Sequence, residues 1–221
     1  MKTELQFTQI IFDLDGTLSD PDEGIRYSIE YALRHMNIEM DISSKYSRFI
    51  GPPLHEGFQH GLGLSEEQTE KAVHLFREYY GVKGVFENKL YPGIVDLLGT
   101  LKQHSVELHL ATSKLEKYAI RVLDLHKIKN YFSVISGATY KGKGADKYHL
   151  IQQVLKQRED ISSDKYLMIG DKHFDIRGAK LAGIKSAGVL YGYGSEKELK
   201  DAGADYIIST VEELKNFLLK T

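Results

Sequence analysis

The chain of 221 residues contains no cysteine. Disulfide bonds, zinc thiolate centres and thiol nucleophiles are therefore excluded at the outset. It also has no apolar stretch near the roughly 20 residues that a membrane-spanning helix requires, and no internal repeat, low-complexity tract or run of like charge. Lysine and arginine number 29 against 31 aspartate and glutamate, a formal net charge of −2, so no bulk attraction to nucleic acid or to an anionic membrane is expected. The first nine residues carry Glu4 and several polar side chains where a secretory signal needs an apolar core. A cytoplasmic location is the expectation.

What the sequence does contain is organised around Ile10-Ile11-Phe12-Asp13-Leu14-Asp15-Gly16-Thr17, a short apolar run that stops on two aspartates and a turn. Its length, its isoleucines and phenylalanine, and the glycine behind them predict a buried strand with two carboxylates at its C-terminal end. In open α/β sheets ligands bind beyond the strand carboxyl ends, so the acidic pair marks a candidate site.

Beyond Thr17, Asp20 reads as an N-cap, with Pro21 at the first helical position and Glu23 closing a capping box. Ile25, Ile29, Ala32, Leu33 and Met36 then recur at helical spacing. Ser65 opens a second box with Gln68, and Ala72, Val73, Leu75, Phe76, Tyr79 and Tyr80 give the following helix a broad apolar face. No convincing strand pattern occurs between residues 37 and 86. From Val106 onward strands and helices alternate, with strands over 106–111, 132–136, 166–170, 186–190 and 206–208 and helices over 148–158 and 174–182. Thr210 and Glu213 open a final helix with another box. Such alternation predicts a parallel sheet covered by helices, because parallel neighbours need crossover connections. The expected fold class is α/β: a Rossmann-like three-layer core formed by residues 1–18 and 88–221, with an all-helical cap inserted at 19–87.

Three more features fall at the ends of the predicted core strands. Thr112-Ser113-Lys114-Leu115-Glu116 follows the strand through Leu110, and Ser113 is expected to cap the next helix with Glu116 completing the box. A hydroxyl and free helix N–H groups would then form a phosphate seat. Gly170-Asp171-Lys172-His173-Phe174-Asp175 brings a second acidic pair. Four acids at the ends of two strands are more negative charge than one crevice holds without a cation, and hard carboxylate oxygens suit Mg2+. Lys147, ahead of a helix, and Lys143, in a glycine-rich loop, are alternative ammonium groups for the same place.

Taken together these motifs resemble the haloacid dehalogenase superfamily, in particular its phosphatases with a small helical cap after the first strand. Asp13-Leu14-Asp15-Gly16-Thr17, Thr112-Ser113, a lysine and Gly170 to Asp175 stand in that family's order and span nearly the whole chain. The closer likeness is to phosphoglycolate phosphatase-like proteins, some of them 5′-nucleotidases. It is carried by Phe49-Ile50-Gly51-Pro52-Pro53-Leu54, by Gly188-Val189-Leu190-Tyr191-Gly192-Tyr193-Gly194 and by Ala202-Gly203-Ala204-Asp205-Tyr206. Many relatives have Lys-Pro at the third motif, where this chain has Lys143-Gly144. Lys147 fits the form seen in the nucleotidase-like relatives and is favoured, with Lys143 as the alternative.

The resemblance implies a Mg2+-dependent phosphatase acting on a small phosphorylated metabolite, phosphoglycolate or a nucleoside monophosphate, through an aspartyl-phosphate intermediate. It implies Asp13 as nucleophile and Asp15 as general acid and base, with Mg2+ held by Asp13, the Asp15 carbonyl and Asp171. Asp175 would orient metal-bound water, Lys147 would neutralise charge, and Thr112 with the Ser113 N–H would hold phosphoryl oxygens. Substrate choice is expected in the cap, at Arg48, Phe49 and Gly51. The alternatives are a phosphotransferase like the β-phosphoglucomutases and a non-catalytic binding protein of the same fold. Neither a nucleic-acid polymer nor a membrane is an expected partner, and both monomer and homodimer are compatible with the composition.

Overall fold

A computed structural model of the chain describes residues 5–42, 46–51, 54–139, 146–158 and 161–219. The chain divides into two compact units, Met1–Ser19 with Leu90–Thr221, and Asp20–Lys89. The smaller unit carries helices α1 (Asp22–His35) and α2 (Glu66–Val82). The larger carries α3 (Ile94–Gln103), α4 (Glu116–Leu125), α5 (Lys147–Leu155), α6 (His173–Ala182), α7 (Glu196–Ala202) and α8 (Val211–Leu219).

In the larger unit the apolar run before Asp13 forms β1 (Gln9–Phe12), and all four of its residues are buried. A strand without a polar face belongs inside a sheet covered on both sides. The other strands of its parallel sheet are β2 (Glu107–Leu115), β3 (Phe132–Ala138), β4 (Tyr166–Gly170), β5 (Lys185–Val189) and β6 (Tyr206–Ile208). They pair in the order β3-β2-β1-β4-β5-β6, every neighbour parallel, which is the Rossmann-like arrangement that the alternation predicts. Ile11, Ala111 and Met168 of the three central strands pack on one face against Leu150, Ile151 and Val154 of α5 and Ala179 of α6. Period-two alternation sends Ile10 and Phe12 to the opposite face, and α3, whose Ile94, Leu97, Leu98 and Leu101 are buried, packs against β2. The chain leaves β1 toward β2 but leaves β4 toward β5, so the connections diverge at the centre of the sheet and open a crevice beyond its carboxyl ends.

Local signals held in some places and yielded to pairing in others. The Ser65 box is present in both directions, at 3.3 and 3.0 Å. At α8 the Thr210 hydroxyl accepts from the Glu213 N–H at 3.0 Å, while the Glu213 carboxylate takes the N–H of Ser209. Pro21 lies outside α1, which starts at Asp22, and the Asp20 carboxylate accepts from the Asp22 N–H at 2.9 Å as an Asx turn. Ser113 does not cap a helix. It stays in β2, and α4 starts at Glu116 without a side-chain cap. The cause is pairing with β3: Thr112 is in register with Gly137 and Leu115 with Ala138, which leaves Ser113 and Lys114 as a bulge. Glu116 then accepts from the Gly137 N–H at 3.4 Å instead of closing a box.

In the smaller unit an aromatic chain of Phe49, Phe58, Phe76 and Tyr80, with successive centroids 4.9, 6.2 and 5.4 Å apart, fills the interior. Its residues Gly57–Gly61 form a π-helical turn. Among the described residues of the chain no helix is long and apolar enough to cross a membrane.

At the start of α1 the backbone of Gly24 lies against that of Gly84, and a Cβ on Gly24 would overlap the Gly84 carbonyl oxygen. Gly24→Ala is expected to destabilise the protein by about 1–3 kcal/mol, read as a lower urea midpoint at unchanged slope. Gly99→Ala in α3 is the control, since its added Cβ meets nothing nearer than the Tyr131 hydroxyl at 3.7 Å, and it should be neutral or stabilising.

Candidate active site

The acids, hydroxyls and lysine singled out in the core lie at the carboxyl ends of β1, β2 and β4 and at the starts of α5 and α6. Phe12 is in register with Leu110 on one side and Ile169 on the other. Asp13 continues β1 by donating its N–H to the Ile169 carbonyl at 2.9 Å. The same register puts Thr112 and Asp171 one residue beyond the level of Asp13 on adjacent strands, and parallel strands only about 4.8 Å apart bring such end groups together.

Lys147 is the lysine placed among them; Lys143 lies outside the described residues. Lys147 is the first residue of α5, whose start is capped by the Asp146 carboxylate accepting from the His149 N–H at 3.3 Å. Its Nζ lies 2.9 Å from Asp13 Oδ1, 2.8 Å from Asp175 Oδ1 and 3.0 Å from the Ala111 carbonyl oxygen. The ammonium thus sits among three oxygen atoms, two of them from carboxylates. Burial alone would lower its pKa, but the Asp13 and Asp175 carboxylates outweigh that and hold it charged, above the ordinary lysine value.

Asp175 turns its other oxygen to the Lys172 N–H at 3.0 Å, and burial pushes its carboxyl up to about 6 against the opposing pull of Lys147. Asp171 is fully buried and raised well above the usual carboxylate range, first by burial and then by the charges of Asp175 and Asp13. Among the described residues it has no lysine or arginine in an ion pair. Its oxygens accept instead from the Tyr193 N–H at 2.8 Å and the Thr17 hydroxyl at 3.5 Å. Asp15 stands apart: Lys114 Nζ lies 2.6 Å from its Oδ2, while burial raises its pKa and Lys114 opposes the rise.

One carboxylate oxygen each from Asp13, Asp171 and Asp175 lie within 4.8 Å of one another. At that distance and an effective dielectric of about 20, two ionised carboxylates repel by about 3 kcal/mol. Counting Asp15, four carboxylates face the two ammonium groups of Lys147 and Lys114, so acids outnumber their cationic partners. The all-oxygen donor set, and Asp171 with no ion pair among the described residues, fit a hard cation.

Thr112 is buried, and its hydroxyl accepts from the Lys114 N–H at 3.3 Å; Ser113 follows it in the bulge. The expected helix N-terminus behind this pair is absent, because α4 begins three residues after Ser113. In the smaller unit Phe49 is 3% exposed and packs in that unit's own aromatic interior. Arg48 lies in a 3-10 turn, Tyr46–Phe49, and Gly51 has a φ of 103°.

Three partners of the acids are not legible as such in the sequence: Lys114, the Thr17 hydroxyl and the Tyr193 N–H. Each depends on a contact between distant strands or loops. The one sequence signal for the last is the pair of glycines that flank Tyr193. A Cβ on Gly192 would overlap the Gly16 carbonyl oxygen, and one on Gly194 the Asp171 carbonyl oxygen, so only this glycine pair lets the loop reach Asp171 with its backbone.

Residues 10–189 match the family described as haloacid dehalogenase-like hydrolase. A 5′-nucleotidase from Pseudomonas aeruginosa is 37% identical over 89% of this chain and 88% of its own length. The tyrosine-protein kinase PtkA of Mycobacterium tuberculosis is 34% identical over 95% of this chain and 72% of its own. Among solved structures, a predicted phosphatase from Clostridium acetobutylicum superposes with a TM-score of 0.90 at 39% identity, covering 97% of this chain and 99% of that one.

Gly194→Ala should displace the loop that donates to Asp171. It is expected to cost about 1–3 kcal/mol of stability and to weaken divalent-cation binding by about tenfold or more in a calorimetric titration of the purified protein with Mg2+. Unchanged Mg2+ affinity would show that this backbone contact does not hold Asp171 for a cation.

Proposed function

The chain belongs to the haloacid dehalogenase-like hydrolase family, and from that premise we propose that it is a Mg2+-dependent phosphatase of small phosphomonoesters working through an aspartyl-phosphate on Asp13. The observation that carries this reading is the separation of the two aspartates that end β1. Asp13 shares Lys147 with Asp175, whereas Asp15 is paired with Lys114 through one oxygen and keeps the other, Oδ1, buried with no hydrogen-bond partner among the described residues. Two aspartates with different partners suit two different roles, nucleophile for Asp13 and proton carrier for Asp15.

In this mechanism an oxygen of Asp13 attacks phosphorus as the bond to the ester oxygen breaks. Asp15 gives its proton to that oxygen, which leaves as an alcohol. The Asp15 carboxylate next takes a proton from water as the water oxygen attacks the phosphorus. Asp13 is released as a carboxylate together with inorganic phosphate. Such general acid–base assistance is worth roughly 10²–10⁴-fold. Lys147 neutralises Asp13 and the phosphoryl oxygens, and the Thr112 hydroxyl and Ser113 N–H hold those oxygens. Asp13, the Asp15 carbonyl and Asp171 would hold Mg2+, with Asp175 as their support. Bound there, the ion supplies the positive charge that lets a carboxylate approach a phosphate dianion.

The substrate is a small phosphomonoester of the nucleoside monophosphate or phosphoglycolate type, met in the cytoplasm. Selection among such esters is assigned to the Asp20–Lys89 unit, with Arg48 and Gly51 as candidate contacts and Phe49 acting through that unit's packing. A second reading, transfer of the phosphoryl group from Asp13 to an organic hydroxyl, is favoured by the likeness to the chain named as a tyrosine-protein kinase.

Asp13→Asn should lower Mg2+-dependent hydrolysis of p-nitrophenyl phosphate by at least about a thousandfold while a cooperative unfolding transition is kept. EDTA should abolish native turnover and added Mg2+ restore it. Retained turnover in Asp13→Asn removes Asp13 from the nucleophile role. A panel of nucleoside, sugar and glycolate phosphates, run with and without an alcohol acceptor, separates hydrolysis from transfer; no turnover anywhere in the panel leaves a binding protein of this fold.

A further inference from the structure

Asp15 forms no ion pair with Lys147, whose Nζ lies within 3.0 Å of Asp13, Asp175 and the Ala111 carbonyl. The partner of Asp15 is Lys114, whose Nζ lies 2.6 Å from Oδ2, with the two side chains 7% and 14% exposed. The second oxygen, Oδ1, is buried and has no hydrogen-bond partner among the described residues. A carboxyl group tied at one oxygen has only the other from which to hand over a proton.

Lys114 reaches Asp15 because β2 bulges. In an unbroken strand Thr112 and Lys114 would share a face. The register shift between the Thr112–Gly137 and Leu115–Ala138 pairs places Ser113 and Lys114 in a bulge, and such a bulge re-aims a side chain. The Thr112 hydroxyl accepts the Lys114 N–H at 3.3 Å and fixes the bulge from within. Holding phosphoryl oxygens requires Thr112 and Ser113 alone; the bulge adds a buried cation aimed at the neighbouring strand's second aspartate.

We propose that Lys114 is a positioning residue for Asp15: its ion pair fixes the Asp15 side chain so that Oδ1 faces the ester oxygen that leaves. The torsion of a free aspartate carboxyl is broad and two-fold, so without Lys114 the group turns away from that line. This rests on the assignment of Asp15 as the general acid. Lys114 itself touches no reacting atom in this role.

Leaving-group chemistry exposes such a role. A p-nitrophenolate departs with little help from a proton, whereas the alkoxide of an alkyl ester needs one. kcat/KM reports steps up to formation of the Asp13 phosphoenzyme and is unaffected by the later attack of water. In Lys114→Met, kcat/KM should fall at least about tenfold more for glycerol phosphate than for p-nitrophenyl phosphate, part of the roughly 10²–10⁴-fold that a general acid supplies. Lys114→Arg, which keeps the cation, should hold the alkyl-to-aryl ratio near that of the native protein. Adding Lys114→Met to Asp15→Asn should leave the ratio where Asp15→Asn alone puts it, because both changes remove one function. Lys114→Gln takes the place of Lys114→Met if the latter shows no cooperative unfolding transition. An equal fall for both esters, a native ratio in Lys114→Met, or an additive double variant overturns the proposal. A native protein that hydrolyses neither ester overturns the phosphatase reading instead.

Discussion

Four carboxylates brought to one end of a sheet are the constraint on which the rest of this structure depends. Asp13, Asp15, Asp171 and Asp175 would repel one another strongly in a buried setting, and each is placed by the fold with a different compensation. Lys147 bridges Asp13 and Asp175, Lys114 takes Asp15, and Asp171 is left to the Tyr193 N–H and the Thr17 hydroxyl. Buried ion pairs of this kind contribute little to stability beyond an apolar core, because desolvation offsets attraction. Their value is geometric: the pairs fix how the carboxylates are turned, and Asp171, with no ion pair among the described residues, marks where a cation fits.

The backbone serves that arrangement at several points. The order β3-β2-β1-β4-β5-β6 sets β1 between the strands that carry Thr112 and Asp171, so the three chain segments end side by side. Lys147 opens a helix packed on the same face as Ile11 and Met168, which anchors a long side chain under the strand ends. The bulge in β2 and the glycine-flanked Tyr193 are departures from regular structure, and both deliver a donor to an acid. The regular parts of the fold place the acids; the irregular parts place their partners.

Much of this was legible in advance, and the reasons differ from residue to residue. β1 and β4 announce themselves because a strand buried on both faces must be a continuous apolar run, and the acids that end each run stand out against it. Lys147 was legible as a lysine heading a helix, although composition alone could not separate it from Lys143. Ser113 misleads, since serine followed three residues later by glutamate is a sound helix-start signal until β3 pairs with the same residues. The Phe49 to Leu54 loop suggests a contact surface, and within it the Phe49 ring packs in the interior of its own unit.

By itself the sequence determined the α/β class, the order of strands and helices, the identity of the four acids and the family to which they point. These are local properties: apolar periodicity, turn residues and short motifs are written in neighbouring positions. Only the tertiary structure decided which lysine serves which acid, that β2 bulges at Ser113 and Lys114, and that a backbone N–H holds Asp171. Those outcomes depend on register between strands far apart in the chain and on which side chains that register brings within reach, neither of which any stretch of sequence contains.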